Sequence, residues 1–346
     1  MKKMLALLLA LAMVFALCAC GNTAAAPAPT AEATPEAAAD AAPAEEKTLD
    51  YPTQPITMMV AWTAGGGSDL LTRAIAADAP EFIGVNMNVT NREGAGGTIG
   101  FAEAVDYAND GYNLLYSTSG VFSAQPLLRE VEYSIDDFDF ICGVGEKPMS
   151  VVVPASWGVT NLQEWIDYLN ANGIEAVIGT SGSAGSIPAF GIEALIPELQ
   201  ELGFGAYNVV NYTGAGEVIP ALLSGEINCG FFHPHEAKPY IESGDFTVLA
   251  VATAERSANF PEIATFKEQG VDFELSVLEG YIAPAGLDPE IRDYLEAAFL
   301  KILAEGENYK SYAEGSGHQV KPTSGAEFRQ AVVDQTALFQ EMFGGK

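Results

Sequence analysis

Basic residues are scarce in this sequence, and this scarcity limits what the protein can bind. Its 346 residues include 16 Lys and Arg against 46 Asp and Glu, which gives a formal net charge of −30. A chain this acidic repels polyanions, so we expect no nucleic acid partner. An anionic ligand would have to be captured by local dipoles rather than by a general positive field.

Histidine and cysteine are also rare, with three and four residues in the whole chain. Cys142 and Cys229 lie in apolar, strand-like contexts, which favours buried and inert thiols. Whether these two cysteines form a disulfide is left open, because sequence alone cannot show it. Two histidines in one short segment, His233 and His235, form an incomplete metal set, so we expect neither a metal nor a cofactor. His233 follows a predicted strand and could donate to a ligand, in which case a lower pH would tighten binding.

The N-terminus predicts export. Two lysines precede an apolar run over residues 4–17, which is too short to span a bilayer. The run ends in Cys18-Ala19-Cys20, which resembles the lipobox of bacterial lipoproteins, with the small Ala19 before the modified cysteine. We therefore predict a signal peptide over residues 1–19 and a lipid on Cys20. An ordinary secretory signal, cleaved later in the Ala-rich stretch, is the alternative.

Residues 22–50 consist mostly of Ala, Pro, Glu and Thr. Such a segment cannot bury enough apolar surface to offset the entropy lost on ordering. We predict a disordered, lipid-anchored tether over residues 20–50 that keeps a folded part outside the cytoplasm and close to the membrane. No later apolar stretch approaches the length of a membrane span, so the folded part is expected to be soluble.

From Tyr51 onward, apolar strand patterns alternate with helical patterns. The run at 56–62 is followed by a Gly-rich turn at 63–69 and a helical pattern. The other strands are predicted at 86–91, 112–117, 150–154, 176–180, 207–211, 228–232 and 247–252. The other helices are predicted at 98–107, 162–170, 188–199, 289–304 and 326–342. This alternation predicts parallel sheets in an α/β architecture.

Two small-residue turns, at 63–69 and 181–186, each connect a predicted strand to a predicted helix. The first turn of a helix presents free N–H groups and a positive dipole end, and glycine lets an anion approach them. The two turns could face each other across a cleft and hold one carboxylate ligand. The alternative is that they only connect elements.

Several short motifs follow one another from Tyr51 to the end of the chain. They include YPTQPI at 51–56, GGGSD at 65–69, NREGAGGTIG at 91–100, GSAGS at 182–186, YTGA at 212–215 and APAG at 283–286. In this order they resemble the extracytoplasmic solute-binding receptors of tripartite tricarboxylate transporters, the Bug or TctC-like proteins. The resemblance implies a type II periplasmic-binding-protein fold, with two α/β lobes and a ligand cleft between them. Lobe 1 would comprise 51–145 and 251–346, and lobe 2 would comprise 146–250.

The resemblance also implies the ligand contacts. It places Trp62 as an aromatic wall, where the family more often has phenylalanine, and it adds contacts from both turns and from the end of the third strand. These contacts are Ala64, Gly65, Gly66, Ser68, Asp69, Thr118, Ser119, Ser181, Gly182, Ser183, Ala184 and Ser186. Asp69 is better explained as a helix cap or an acceptor near the hinge than as a direct ligand of an anion, and Tyr212 either lines the cleft or packs beneath its turn.

As a member of this family, the chain would be a monomer that binds a di- or tricarboxylate, an aromatic acid or an amino acid. It would deliver this ligand to the subunits of a membrane permease and would not be an enzyme. A ligand sensor for a membrane kinase would use the same closed lobes, so sequence does not separate the two. A secreted hydrolase would need a nucleophile–base pair, and no G-x-S-x-G elbow is present.

Overall fold

A computed structural model describes residues 49–182, 185–257 and 259–344. The predicted signal peptide, the lipidated Cys20, nearly all of the tether, Ser183 and Ala184 lie outside the described residues. Within them, no helix is long and apolar enough to cross a membrane.

The described residues form eleven strands and eleven α-helices. The strands are β1 (Ile56–Val60), β2 (Met87–Asn91), β3 (Asn113–Thr118), β4 (Phe138–Pro148), β5 (Ser150–Pro154), β6 (Ala176–Thr180), β7 (Tyr207–Asn211), β8 (Cys229–Phe232), β9 (Phe246–Val251), β10 (Ser276–Pro284) and β11 (Gln319–Ser324). The helices are α1 (Gly67–Phe82), α2 (Thr98–Ala104), α3 (Gly120–Ser123), α4 (Gln125–Leu128), α5 (Leu162–Asn172), α6 (Ile187–Glu201), α7 (Ala215–Ser224), α8 (Lys238–Glu242), α9 (Pro289–Glu305), α10 (Glu307–Ser316) and α11 (Gly325–Phe343).

The strands form two sheets, and the prediction of parallel sheets is only partly correct. The first sheet has the order β11-β4-β10-β3-β1-β2, and the second has the order β7-β6-β8-β5-β9. β1 is parallel to β2 and β3, and β6 is parallel to β7 and β8. Pairings that involve β10 or β5 are antiparallel. These strands adjoin the segments by which the chain passes from one sheet to the other, so no βαβ crossover fixes their direction.

The chain crosses between the sheets through segments that pair with each other. The backbone N–H of Met149 donates to Leu275 O, and that of Ala252 donates to Met149 O, at 3.0 and 2.8 Å. Met149, Ala252 and Leu275 therefore lie side by side where the two α/β lobes meet. The fold-class prediction is confirmed, while the lobe boundaries at 146 and 251 stay predictions.

Each sheet has its own hydrophobic core. Ile75 and Ala79 of α1 pack in the core of the first lobe, and Trp165 of α5 is fully buried in that of the second. The C-terminal helix α11 reaches both lobes, because the ring of Phe343 lies 4.7 Å from that of Phe190 on α6. These contacts hold the two lobes against each other on the side of α11.

Cys142 and Cys229 are free and buried, and they lie on different sheets, in β4 and β8. Burial raises the pKa of both thiols well above the usual range. Because the thiolate is the reactive form, both cysteines are chemically inert at neutral pH.

Candidate functional site

A cavity of about 540 Å³ lies between the two lobes. Its walls come mainly from the segments that directly follow β1, β3, β6, β7 and β8, with the base supplied by β4 and β10. The carboxyl ends of parallel strands in open α/β sheets are where ligands bind, because the following helices begin there. The lining includes Trp62, Gly66, Gly67, Ser68, Thr118, Gln125, Lys147, Ser181, Gly182, Ser186, Thr213, Gly214, Ala215, Gly216, His233, His235, Glu236, Glu279, Tyr312 and His318.

In lobe 1, the cavity meets the start of α1. The residue before this helix, Gly66, offers no side-chain cap, so the first N–H groups of the helix, including those of Gly67 and Ser68, have no side-chain acceptor. Unsatisfied amides at a helix start carry a partial positive charge and suit a carboxylate.

Asp69 lies behind this turn and does not line the cavity. Its Oδ2 accepts the N–H of Gly65 and the Nε–H of Arg73, both at 2.8 Å, and its Oδ1 accepts from Asn91 at 2.9 Å. Burial alone would raise the pKa of Asp69, but the hydrogen bonds from Arg73, Gly65 and Asn91 outweigh burial and lower it. The carboxylate therefore holds the glycine turn in place.

In lobe 2, two helix starts face the cavity. Ser186 caps α6 by accepting the N–H of Ala189 at 3.3 Å, and the buried Oγ of Ser181 has no hydrogen-bond partner. Helix α7 begins after Gly214, which provides no side-chain cap, so the N–H groups of Ala215 and Gly216 are available. The start of α7 was not among the predicted contacts, although the motif at 212–215 pointed to this turn.

The structure places eight of the predicted contacts in the cavity wall. They are Trp62, Gly66, Ser68, Thr118, Ser181, Gly182, Ser186 and His233. Five others lie outside the lining: Ala64, Gly65, Asp69, Ser119 and Tyr212. The hydroxyl of Tyr212 donates to Glu226 at 3.0 Å, and the Oγ of Ser119 accepts the N–H of Leu278 at 3.1 Å. The ligand-binding roles of all these residues stay predictions.

Trp62 forms a fixed aromatic wall. Its ring packs edge-on against Tyr116, with the ring centroids 5.6 Å apart, and against Phe101 at 6.4 Å. Across the cleft, Gln125 donates to Gly185 O at 3.4 Å, so α4 touches the turn that follows β6. This hydrogen bond joins the two walls of the cavity on the side of α4.

The base of the cavity holds a buried ionic group that the sequence analysis missed. Glu279 accepts from Lys147 Nζ at 2.8 Å, from His318 Nε2 at 2.6 Å and from the hydroxyl of Tyr116. Burial raises the pKa of Glu279, but the charge of Lys147 and the contact with His318 outweigh burial and hold it well below the usual range. The signal in the sequence was a lone acidic residue within the apolar strand segment 276–284.

Next to this group, the loop after β8 contributes three further titratable residues. His233 and His235 are stacked, with ring centroids 5.7 Å apart. Burial, together with the charge of Lys147, lowers the pKa of His233 to about 4, and burial also lowers that of His235. Burial raises the pKa of Glu236 to about 7. Among the described residues, no group of three His, Cys, Asp or Glu side chains could hold a metal ion.

Comparison with known proteins gives consistent matches. A family model described as "TctC: Tripartite tricarboxylate transporter family receptor" matches residues 71–342. Protein BugT of Bordetella pertussis is 32% identical over 247 residues, which cover 70% of this chain and 74% of that protein.

Solved structures agree with the sequence relatives. A TctC solute binding protein from Polaromonas, with no ligand, aligns with a TM-score of 0.71 and 25% identity, over 86% of this chain and 100% of that one. The structure of R. palustris Rpa4515 with adipate aligns with the same TM-score and identity, over 85% and 99% of the two chains.

Proposed function

This chain belongs to the tripartite tricarboxylate transporter receptor family, and on that basis we propose that it captures a small carboxylate in the cavity between its lobes. The observation that carries the proposal is the meeting of three helix starts, those of α1, α6 and α7, at one cavity. The uncapped amides of α1 and α7 can solvate a carboxylate without a basic side chain, which suits so acidic a protein. At the start of α6, Pro188 has no N–H and Ser186 accepts that of Ala189, so only the N–H of Ile187 adds to them. The adipate in R. palustris Rpa4515 supports a carboxylate ligand.

We further propose that the protein delivers its ligand to the membrane subunits of a tripartite transporter, as a monomer anchored outside the cytoplasm by a lipid on Cys20. The lobes would be 51–145 with 251–346, and 146–250. The paired crossing segments at Met149 and Ala252 support this division, because bending there would move one sheet relative to the other.

We also propose that the protein binds its ligand without catalysing a reaction. Catalysis by a serine or cysteine needs the nucleophile within hydrogen-bond reach of a base. In the part of the chain that the structure describes, no serine or cysteine side chain hydrogen-bonds to a histidine ring, and the Oγ of Ser181 has no partner at all.

The test is a thermal-shift screen of the purified protein against adipate, succinate, citrate, phenylacetate and glutamate, with glucose, Mg²⁺ and sodium chloride as comparators. A ligand that binds only the native state raises the unfolding midpoint by mass action. We expect at least one carboxylate to raise it in proportion to the logarithm of its concentration. A response to glucose or Mg²⁺ and to no carboxylate would refute the proposal.

A further inference from the structure

The cavity lining combines two kinds of polar group. The uncapped helix starts of α1 and α7 offer backbone N–H donors. Near the crossing segments, the lining also includes the titratable side chains of Lys147, Glu279, His233, His235 and Glu236. A ligand in the cavity can contact both kinds of group, so these side chains can select among carboxylates.

The lysine in this group is already paired. Lys147 is bound to Glu279 at 2.8 Å, and its side chain is only 15% exposed. His318 donates to the other oxygen of Glu279, and its Nδ1 is buried without a hydrogen-bond partner. A second carboxylate of a ligand would therefore compete with Glu279 for Lys147.

The orientation of His233 makes its free nitrogen an acceptor. Its Nδ1 lies 3.0 Å from the carbonyl oxygen of Pro148. A carbonyl only accepts, so Nδ1 carries the hydrogen, and the neutral ring presents the lone pair of Nε2. From sequence, His233 could donate to a ligand, whereas this geometry lets it donate only after it gains a second proton.

Glu236 adds a second acceptor in the same place. Its Oε2 is buried and has no hydrogen-bond partner. A buried carboxylate oxygen without a partner is costly, and a donor supplied by a ligand would remove that cost. With Glu279 and Lys147, it gives two carboxylates against one ammonium in this part of the lining, so Glu236, when ionised, has no lysine partner of its own.

We propose that Glu236 and His233 form a subsite for a protonated amine, so that the preferred ligand is an aminocarboxylate rather than a plain di- or tricarboxylate. This inference rests on the proposed function, because the helix starts are assigned to the carboxylate. An ammonium group supplies both the hydrogens that the two acceptors lack and the positive charge that balances Glu236.

The experiment compares matched ligand pairs by isothermal titration calorimetry with the purified full-length protein. The pairs are L-aspartate and succinate, L-glutamate and glutarate, and L-phenylalanine and 3-phenylpropionate, which differ within each pair only by the amine. We expect the amine-bearing member of at least one pair to bind roughly tenfold tighter or more, which is typical of a charged hydrogen bond.

Variants of Glu236 test whether this residue causes the preference for the amine. Glu236→Gln keeps the shape and removes the charge, so we expect it to weaken the amino acid roughly tenfold and to leave its amine-free partner unchanged. Glu236→Asp retains the charge and should retain the preference in part. Glu242→Gln removes the same charge from an exposed position on α8 and should change neither affinity.

The outcomes separate the two proposals. If carboxylates bind but the amine-free member of every pair binds as tightly as its partner, the amine subsite is wrong and the proposed function stands. If no carboxylate binds, the proposed function fails as well. Binding of Zn²⁺ that requires Glu236 would also overturn the amine subsite. The ligand pairs test the wild-type protein directly, so the result does not depend on whether a variant folds.

Discussion

The ammonium of Lys147 lies 2.8 Å from the carboxylate of Glu279, on neighbouring antiparallel strands. Lys147 is directly opposite Val277 in the β4–β10 ladder, and Glu279 is two residues further along, so the two side chains are diagonal neighbours on one face of the sheet. The lysine in the cavity wall is thereby neutralised from within the protein. Capture of an anion is left mainly to the uncapped helix starts of α1 and α7.

Removing the charge of Glu279 is expected to destabilise the fold. Glu279→Gln leaves Lys147 beside an uncharged group in a buried site, and we expect a loss of about 3 kcal/mol in the free energy of unfolding, measured with urea. The control is Glu146→Gln, which removes the partner of the exposed Lys321 and should cost roughly 1 kcal/mol or less. Equal losses in the two variants would contradict the buried ion pair.

The stability of the Glu236→Gln variant should depend on pH. The folded-state pKa of Glu236 is raised to about 7 by burial, from an ordinary value of 4.5. A raised folded pKa contributes stability that is fully present below pH 4.5 and is lost as the pH rises through 7. We therefore expect Glu236→Gln to match the wild type at pH 4 and to be more stable at pH 8, by about 3 kcal/mol. If the stability difference between the variant and the wild type were the same at pH 4 and pH 8, Glu236 would not be a buried group with a raised pKa.

The affinity for an amino acid ligand should fall as the pH falls from 8 to 6. Glu236 takes up a proton in this range and loses the charge that attracts the amine, so we expect a loss of roughly tenfold. Its amine-free partner, and the amino acid with the Glu236→Gln variant, should show no such dependence. Tighter binding at low pH would instead support donation by a protonated His233, as the sequence analysis expected.

Strands and helices that have a local sequence pattern were predicted well. An apolar run followed by glycines located β1 and the start of α1 to within a few residues, and β5, β6 and β7 match the predicted 150–154, 176–180 and 207–211. The order of motifs was enough to identify the fold class. Each strand signal, and each single motif, lies within about a dozen neighbouring residues.

What the sequence did not predict depends on contacts between distant segments. β4, β10 and β11 pair with each other at the edge of the first sheet, and glycines or polar residues interrupt their apolar pattern. Helix α7 was missed: its segment combines glycines with a proline, Pro220, and was interpreted only as part of a turn motif. The cluster at the cavity base arises only when β4, β10 and the loop after β8 meet, so the proximity of Lys147 to Glu279 has no local signature.

Lipid attachment is expected at Cys20 and not at Cys18. After growth with an alkyne-bearing fatty acid, the wild type and Cys18→Ala should both be labelled, whereas Cys20→Ala should lose the label. The two cysteines lie two residues apart in the same motif, which makes each variant a control for the other. Labelling of Cys20→Ala at the wild-type level would contradict the predicted anchor.

The central claim is that the carboxylate lies at the helix starts, and glycine substitutions test it most directly. A side chain at Gly67 or Gly216 would enter open space in the cavity, because a Cβ built there has no neighbour within 4 Å and neither residue requires a positive φ. Gly315 is equally open, but it lies on α10 outside the cavity lining.

The measurement is the calorimetric affinity of Gly67→Leu, Gly216→Leu and Gly315→Leu for the tightest-binding carboxylate. We expect the first two variants to keep the fold and lose at least tenfold in affinity, and Gly315→Leu to bind as the wild type does. Wild-type affinity in Gly67→Leu and Gly216→Leu would contradict the account.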